Sequence, residues 1–230
     1  MKRILVIEHE SDSGASMLGE RVRWHGIELD VRVPMAQNLP VTTQGYGAVV
    51  SLGAAPGVHD PEVGWWLEPH LELLRDADRR GIAVFGVCFG AQALAVALGG
   101  TVDRAPSPEI GWYTIETTAP ELIETGPWLQ WHVDRVSVPP PGATILASSP
   151  VAIQAYSVGP HLAVQFHPEV TIDEVAVWAK GDPNGPPSAG STAAAILTRF
   201  AGEFPAARER ANRLIDRFLM RSGLISSAAE

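Results

Sequence analysis

The stretch "GIAVFGVCFGAQALAVALGG", residues 81–100, decides how this chain is read. Ile82, Ala83, Val84 and Phe85 make an apolar run of strand length. Phe89 to Leu98 make an apolar run of helical length, ended by Gly99 and Gly100. Between the two stands Cys88, the single cysteine of the chain, with Gly86 and Gly90 two places to either side. Small residues at those places let a strand turn sharply into a helix, so that the side chain at the corner projects above the sheet.

Working outward, the same strand-then-helix unit repeats. "ILVIEH" (4–9) reads as a first strand, Ser13 to His25 as a helix, "IELDVR" (27–32) as a second strand and "YGAVVSLG" (46–53) as a third. Trp65 to Arg80 follows as a helix, with Trp66, Leu67, His70, Leu71, Leu74 and Ala77 near helical spacing on one face. Such alternation predicts a parallel sheet with helices on both faces. From about residue 101 the pattern changes. "GWYTIETT" (111–118), "DRVSVP" (134–139), "ATILASS" (143–149), "AIQAYSV" (152–158) and "HLAVQF" (161–166) are short strand candidates between Pro, Gly and Ser turns. They fit hairpins added to the α/β sheet. "AKGDPNGPPSAGST" (179–192) reads as a mobile loop. Two helices broken at Pro205 are expected beyond it, one carrying Ile196, Leu197 and Phe200, the other Ala211, Leu214, Ile215 and Phe218. The expectation is one domain over residues 1–225 and a disordered tail at 226–230.

Composition narrows the class of partner. With 46% hydrophobic and 19% charged residues among 230, the chain can bury a substantial core. One cysteine cannot form an intramolecular disulfide, so a reducing cytoplasm is expected over a stapled secreted fold. The apolar run near the N-terminus is four residues long and reads as a core strand, not as a signal segment. No run approaches the roughly 18 apolar residues of a membrane span. A net charge of −9 argues against a nucleic-acid partner, which needs a basic face. The other histidines (His9, His25, His59, His70 and His161) show no metal-ligand spacing, and no phosphate or dinucleotide loop follows a strand; neither metal nor cofactor is expected.

The chemistry centres on Cys88. At a helix N-terminus the dipole favours a thiolate, and the N–H of Phe89 would face the oxyanion formed when that sulfur attacks an acyl carbon. On this segment alone, a buried structural cysteine in a strand-to-helix turn fits as well as a nucleophile. "AVQFHPEV" (163–170) breaks the tie. A thiol nucleophile needs a base, and the base needs a carboxylate to orient it. His167 and Glu169 lie two apart, so in extended backbone they share a face, and Pro168 stiffens the link between them.

These segments together resemble the class I glutamine amidotransferases, over about residues 46–171. "EIGWYTI" (109–115), "WHVDRVSVPPPGATILASSPVAIQAY" (131–156) and "VQFHPEVT" (164–171) are similar to the stand-alone, GMP-synthase-like branch. The resemblance implies a flavodoxin-like α/β fold, a parallel-core mixed sheet flanked by helices. It implies a triad with Cys88 as nucleophile, His167 as general base and then acid, and Glu169 as the group that orients His167. The oxyanion hole would use Phe89 and the loop at Gly53 and Ala54. Here Ala54 stands where the family has a second glycine, and Ala55 where it has proline. If that peptide must pass through φ > 0, the added Cβ costs about 1 kcal/mol. Gln92 resembles the glutamine that holds the substrate's amino-acid end, and Glu109, Gly111 and Trp112 would line the opposite wall. His132 and Asp134 belong to the branch's motif, with no role assigned and a structural one favoured. The activity implied is release of ammonia from glutamine through a γ-glutamyl thioester. The chain shows no second domain to consume that ammonia, so a separate synthase would accept it. A γ-glutamyl peptidase and a non-catalytic regulatory member of the fold are the alternatives.

Overall fold

The computed structural model describes residues 2–9, 14–34, 36, 39–181 and 190–226. Four strands and three α-helices open the chain: β1 (Arg3–Ile7), α1 (Ser16–Trp24), β2 (Glu28–Arg32), β3 (Ala48–Ser51), α2 (Gly64–Arg80), β4 (Ala83–Val87) and α3 (Phe89–Ala97). Then come β5 (Thr101–Tyr113), β6 (Glu116–Thr117), β7 (Trp128–Val138), β8 (Thr144–Ser148), β9 (Ile153–Val158) and β10 (His161–Val164), followed by α4 (Ile172–Gly181) and α5 (Ala193–Arg221). The main sheet runs β2-β1-β3-β4-β10-β9-β8-β6. Strands β2, β1, β3, β4 and β10 pair in parallel, and β9, β8 and β6 extend the sheet antiparallel. The expected parallel-core mixed sheet is therefore the observed one.

Alternation along β1 divides the core. Ile4 and Val6 face Met17, Leu18 and Val22 of α1 and Leu214, Ile215 and Phe218 of α5. Leu5 and Ile7 face Trp66, Leu71 and Leu74 of α2 and Leu94 of α3. Successive strand residues point to opposite faces, and Ile4 to Ile7 are all apolar because both faces are covered there. No helix among the described residues is long and apolar enough to cross a membrane.

Three expectations are corrected. The strand placed at 111–118 is divided, its start closing β5 and Glu116–Thr117 forming β6 at the edge of the main sheet, while 134–139 falls at the end of the longer β7; β5 and β7 pair as a separate two-stranded ribbon. The two helices divided at Pro205 are one helix of 29 residues. Pro205 removes one backbone hydrogen bond, but Ile196 and Phe200 are buried before it and Ala207, Leu214 and Phe218 after it, and this packing outweighs a penalty of about 3 kcal/mol. Finally, residues 179–181 are not loop but the end of α4, a helix absent from the sequence reading. The rest of that loop up to 189, Ser13 at the expected start of the first helix, and the tail from 227 lie outside the described residues.

Candidate active site

Open parallel sheets place their functional groups beyond the carboxyl ends of the strands. Four neighbouring strands do so here: β1 leads to His9, β3 to Gly53, β4 to Cys88 and β10 to His167. The strand order alone lines these residues up.

Cys88 follows β4 and caps α3 with φ 50°, ψ −109°, positive-φ backbone that an L residue rarely adopts. Its N–H donates to the carbonyl of Val164 at 2.9 Å, which pins the corner to β10. The flanking glycines have a steric reason. A Cβ on Gly90 would lie 2.0 Å from the carbonyl oxygen of Ser51, and one on Gly86 would lie 2.8 Å from that of Gly90. The helix can therefore start against β3 and β4 only with hydrogen at both positions. Strain at Cys88, sustained by this packing, marks a functional corner.

Val164 pairs with Val87, so the chain leaving β10 passes the corner. His167 is fixed by its N–H to the Leu129 carbonyl, and Glu169 by its carbonyl to the N–H of Met17, both at 2.9 Å. Between the two side chains, His167 Nδ1 lies 2.7 Å from Glu169 Oε1. Nδ1 faces a carboxylate and so carries a proton, leaving Nε2, buried and without a hydrogen-bond partner of ordinary geometry, for the thiol and substrate. Burial would push the imidazole down, but the Glu169 carboxylate and then the Cys88 sulfur outweigh it and hold His167 well above the usual histidine range. The Cys88 Sγ contacts the Trp131 carbonyl at 3.9 Å. Gly53 packs against the same group: a Cβ there would meet His167 Cε1 at 3.1 Å and Cys88 Cβ at 3.9 Å. Ala54 does not lie in left-handed backbone, so its Cβ carries no strain in this conformation.

The other sequence-predicted residues lie differently from an open mouth. Gln92 is buried, and its amide donates to the Asp134 carbonyl and to Gln165 Oε1, each at 3.2 Å. His132 Nδ1 donates to the same carbonyl at 3.0 Å, and its Nε2 meets Glu109 Oε2 at 3.0 Å. Glu109 Oε2 also accepts from Ser149 Oγ (3.1 Å) and Gln154 Nε2 (2.7 Å). Gln92 and Glu109 are thus joined through Asp134 and His132 in one buried polar network, not set on opposite walls. Gly111 takes φ 120°, which favours glycine. Trp112 packs edge-on against Phe200, with ring centroids 5.3 Å apart, in the apolar cluster under α5. It lines a small, mostly apolar cavity together with His167, Leu129 and Phe200.

Sequence reasoning missed three contributors. Trp178 of α4 sets its ring edge-on to His167, with centroids 5.0 Å apart. The signal for that helix was Thr171-x-x-Glu174, whose Glu174 Oε2 accepts from the Thr171 N–H and hydroxyl at 2.7 and 2.8 Å. Trp131, beside the thiol, opened the family-like segment 131–156 but had no role assigned. His9, 3.1 Å from the Gly53 carbonyl, was one unassigned histidine among several.

Residues 13–176, about seven-tenths of the chain, match the family described as glutamine amidotransferase class-I. The chain is 38% identical over 105 residues to "GMP synthase [glutamine-hydrolyzing]" of Stenotrophomonas maltophilia (strain K279a), covering 40% of this chain and 20% of that protein. It therefore spans about a fifth of the length of the curated relatives it matches. A glutamine amidotransferase structure from Methylobacillus flagellatus is similar with a TM-score of 0.87 and 25% identity, over 96% of this chain and 95% of that one. Another from Thermotoga maritima is similar with a TM-score of 0.83 and 25% identity, over 95% and 98%. A family match across most of its length, on a sheet that carries the cysteine corner, shows that the chain belongs to the class I glutamine amidotransferases.

Proposed function

We propose that the chain hydrolyses the side-chain amide of glutamine through Cys88, His167 and Glu169 and releases ammonia to a separate synthase. The observation that carries the reading is the corner itself. A positive-φ cysteine at a helix N-terminus stands beside a histidine whose far nitrogen is held by a carboxylate at 2.7 Å.

Each residue then has a step. The Cys88 thiolate attacks the amide carbon, and the carbonyl π pair moves onto oxygen, where the N–H groups of Phe89 and of the Gly53–Ala54 loop receive it. His167, protonated beside Glu169, gives its Nε2 proton to the amide nitrogen. The C–N bond breaks and ammonia leaves. The neutral imidazole then takes a proton from water as it attacks the γ-glutamyl thioester. The C–S bond breaks, glutamic acid leaves, and thiolate and imidazolium are restored. Glu169 keeps the ring in one tautomer through both halves. The reducing cytoplasm expected of a single-cysteine chain keeps the sulfur as a thiol.

The test is ammonia and glutamate release from glutamine by the purified chain and by Cys88→Ala, with γ-glutamyl peptides in parallel. Ammonia release that depends on Cys88 supports the reading. Turnover of γ-glutamyl peptides alone replaces glutamine as the substrate.

A further inference from the structure

Beside the candidate oxyanion loop lies a fully buried chain of polar groups that the proposed reaction does not use. His9 Nδ1 lies 3.1 Å from the Gly53 carbonyl, His9 Nε2 lies 3.4 Å from His70 Nδ1, and His70 Nε2 lies 3.1 Å from Ser51 Oγ. His9, His70 and Ser51 are each at most 1% exposed.

The proton positions follow from one end. A carbonyl only accepts, so Nδ1 of His9 carries the hydrogen. In a neutral ring Nε2 is then bare and accepts from Nδ1–H of His70. The Nε2 of His70 is bare in turn and accepts from the Ser51 hydroxyl. All the hydrogen bonds run one way, from Ser51 on β3 through His70 on α2 and His9 after β1 to Gly53 after β3. Burial, opposed by the backbone hydrogen bonds at Gly53 and Leu52, holds His9 down to about 4, consistent with a neutral ring.

We propose that His9, backed by His70 and Ser51, is a positioning residue that fixes the Gly53–Ala54 peptide of the candidate oxyanion hole. This rests on the glutaminase reading above. The peptide is trans, so its C=O and N–H point opposite ways. Strand β3 lies between β1 and β4. Drawing the Gly53 oxygen towards His9, on the β1 side, turns the Ala54 N–H towards the β4 side, where Cys88 stands. His9 also packs on the other arm of the hole: its ring lies edge-on to Phe89, with centroids 4.9 Å apart. One buried ring thus touches both the loop and the residue after the candidate nucleophile.

The experiment compares wild type, His9→Leu and His9→Asn, the last able to present an N–H near the position of Nδ1. For His9→Leu, kcat for glutamine hydrolysis should fall about 10–100-fold, because the hole acts on the transition state, while KM stays within about threefold. Alkylation of Cys88 by iodoacetamide, which forms no oxyanion, should keep its wild-type rate. His9→Asn should recover most of the kcat. Nitrogen-15 NMR of the wild type should show the His9 proton on Nδ1. Equal losses in both variants, a change confined to KM, or a proton on Nε2 would overturn the positioning role. If His9→Leu does not fold, the tautomer and His9→Asn decide. If untreated, folded wild type, whose Cys88 is shown to be reactive by a separate iodoacetamide labelling, releases no ammonia from glutamine, the glutaminase reading itself is overturned; variant kinetics that fail alone overturn only the role of His9.

Discussion

Mild acid should weaken the native state well above the pH at which its carboxylates protonate. Burial holds His9 down to about 4 against an ordinary 6.5, so between those values the unfolded chain binds a proton that the native chain refuses. Stability at His9 is then complete above 6.5 and is lost as the pH falls towards 4. Each decade of proton affinity is about 1.4 kcal/mol, so the whole displacement is worth about 3 kcal/mol. For a chain of this length that is about 6–12 °C of Tm. His70, which hydrogen-bonds His9, and His161 are pushed down by burial as well and add slope of the same sign. His167 is held up, so its contribution has the opposite sign: it is present below the ordinary histidine value of 6.5 and is lost as the pH rises above it, and it cancels when wild type and His9→Asn are compared. Asp30 and Asp216 are held below their ordinary 3.8 by hydrogen bonds that outweigh burial, so their contribution is lost only at lower pH. Urea unfolding followed by circular dichroism between pH 4.5 and 7.5, on wild type and His9→Asn, measures the effect. The variant should show a shallower dependence, by about one proton per molecule. Parallel curves for the two proteins would refute the buried neutral His9.

Other substitutions test separate parts of the account. Gly90→Ala places a Cβ 2.0 Å from the Ser51 carbonyl and should destabilise the chain by about 3 kcal/mol or more, read from denaturant midpoints; a midpoint near wild type would show that α3 can move away from β3. Glu169→Gln should lower kcat about 100-fold or more and shift the basic limb of the pH–rate profile to lower pH, because the carboxylate is what holds His167 up; an unmoved limb would remove Glu169 from that role. Pro205→Ala restores an N–H inside α5 and should raise stability by about 1 kcal/mol, seen as a higher Tm. A lower Tm there would mean that the helix packs around the proline ring.

The parallel half of the sheet was legible because each strand is a short apolar run punctuated by glycine, and because Gly86 and Gly90 answer a steric demand that only glycine meets. The pairing of His167 with Glu169 was legible from their spacing of two. Other features depend on contacts distant in sequence. Nothing local in Ala193–Arg221 says that packing on both sides of Pro205 will hold one helix together. Nothing in Thr101–Tyr113 says that it leaves the main sheet to pair with Trp128–Val138. Gln92 and Glu109 were assigned by resemblance, which carries a residue's type but not its rotamer; only the fold shows Gln92 sharing the Asp134 carbonyl with His132, whose other nitrogen meets Glu109. His9 and His70 are 61 positions apart, and the strand order alone brings the first to the loop that follows β3. The Thr171–Glu174 cap was readable, but its helix is short and carries one fully buried residue, Val175, so periodicity gave it no weight.

The most direct test is to mix the purified chain with glutamine, quench in acid and locate any adduct by peptide mass spectrometry, while measuring ammonia in the same sample. The account predicts a γ-glutamyl group on Cys88, ammonia released with it, and neither product from Cys88→Ala. Ammonia release that persists undiminished in Cys88→Ala would contradict it.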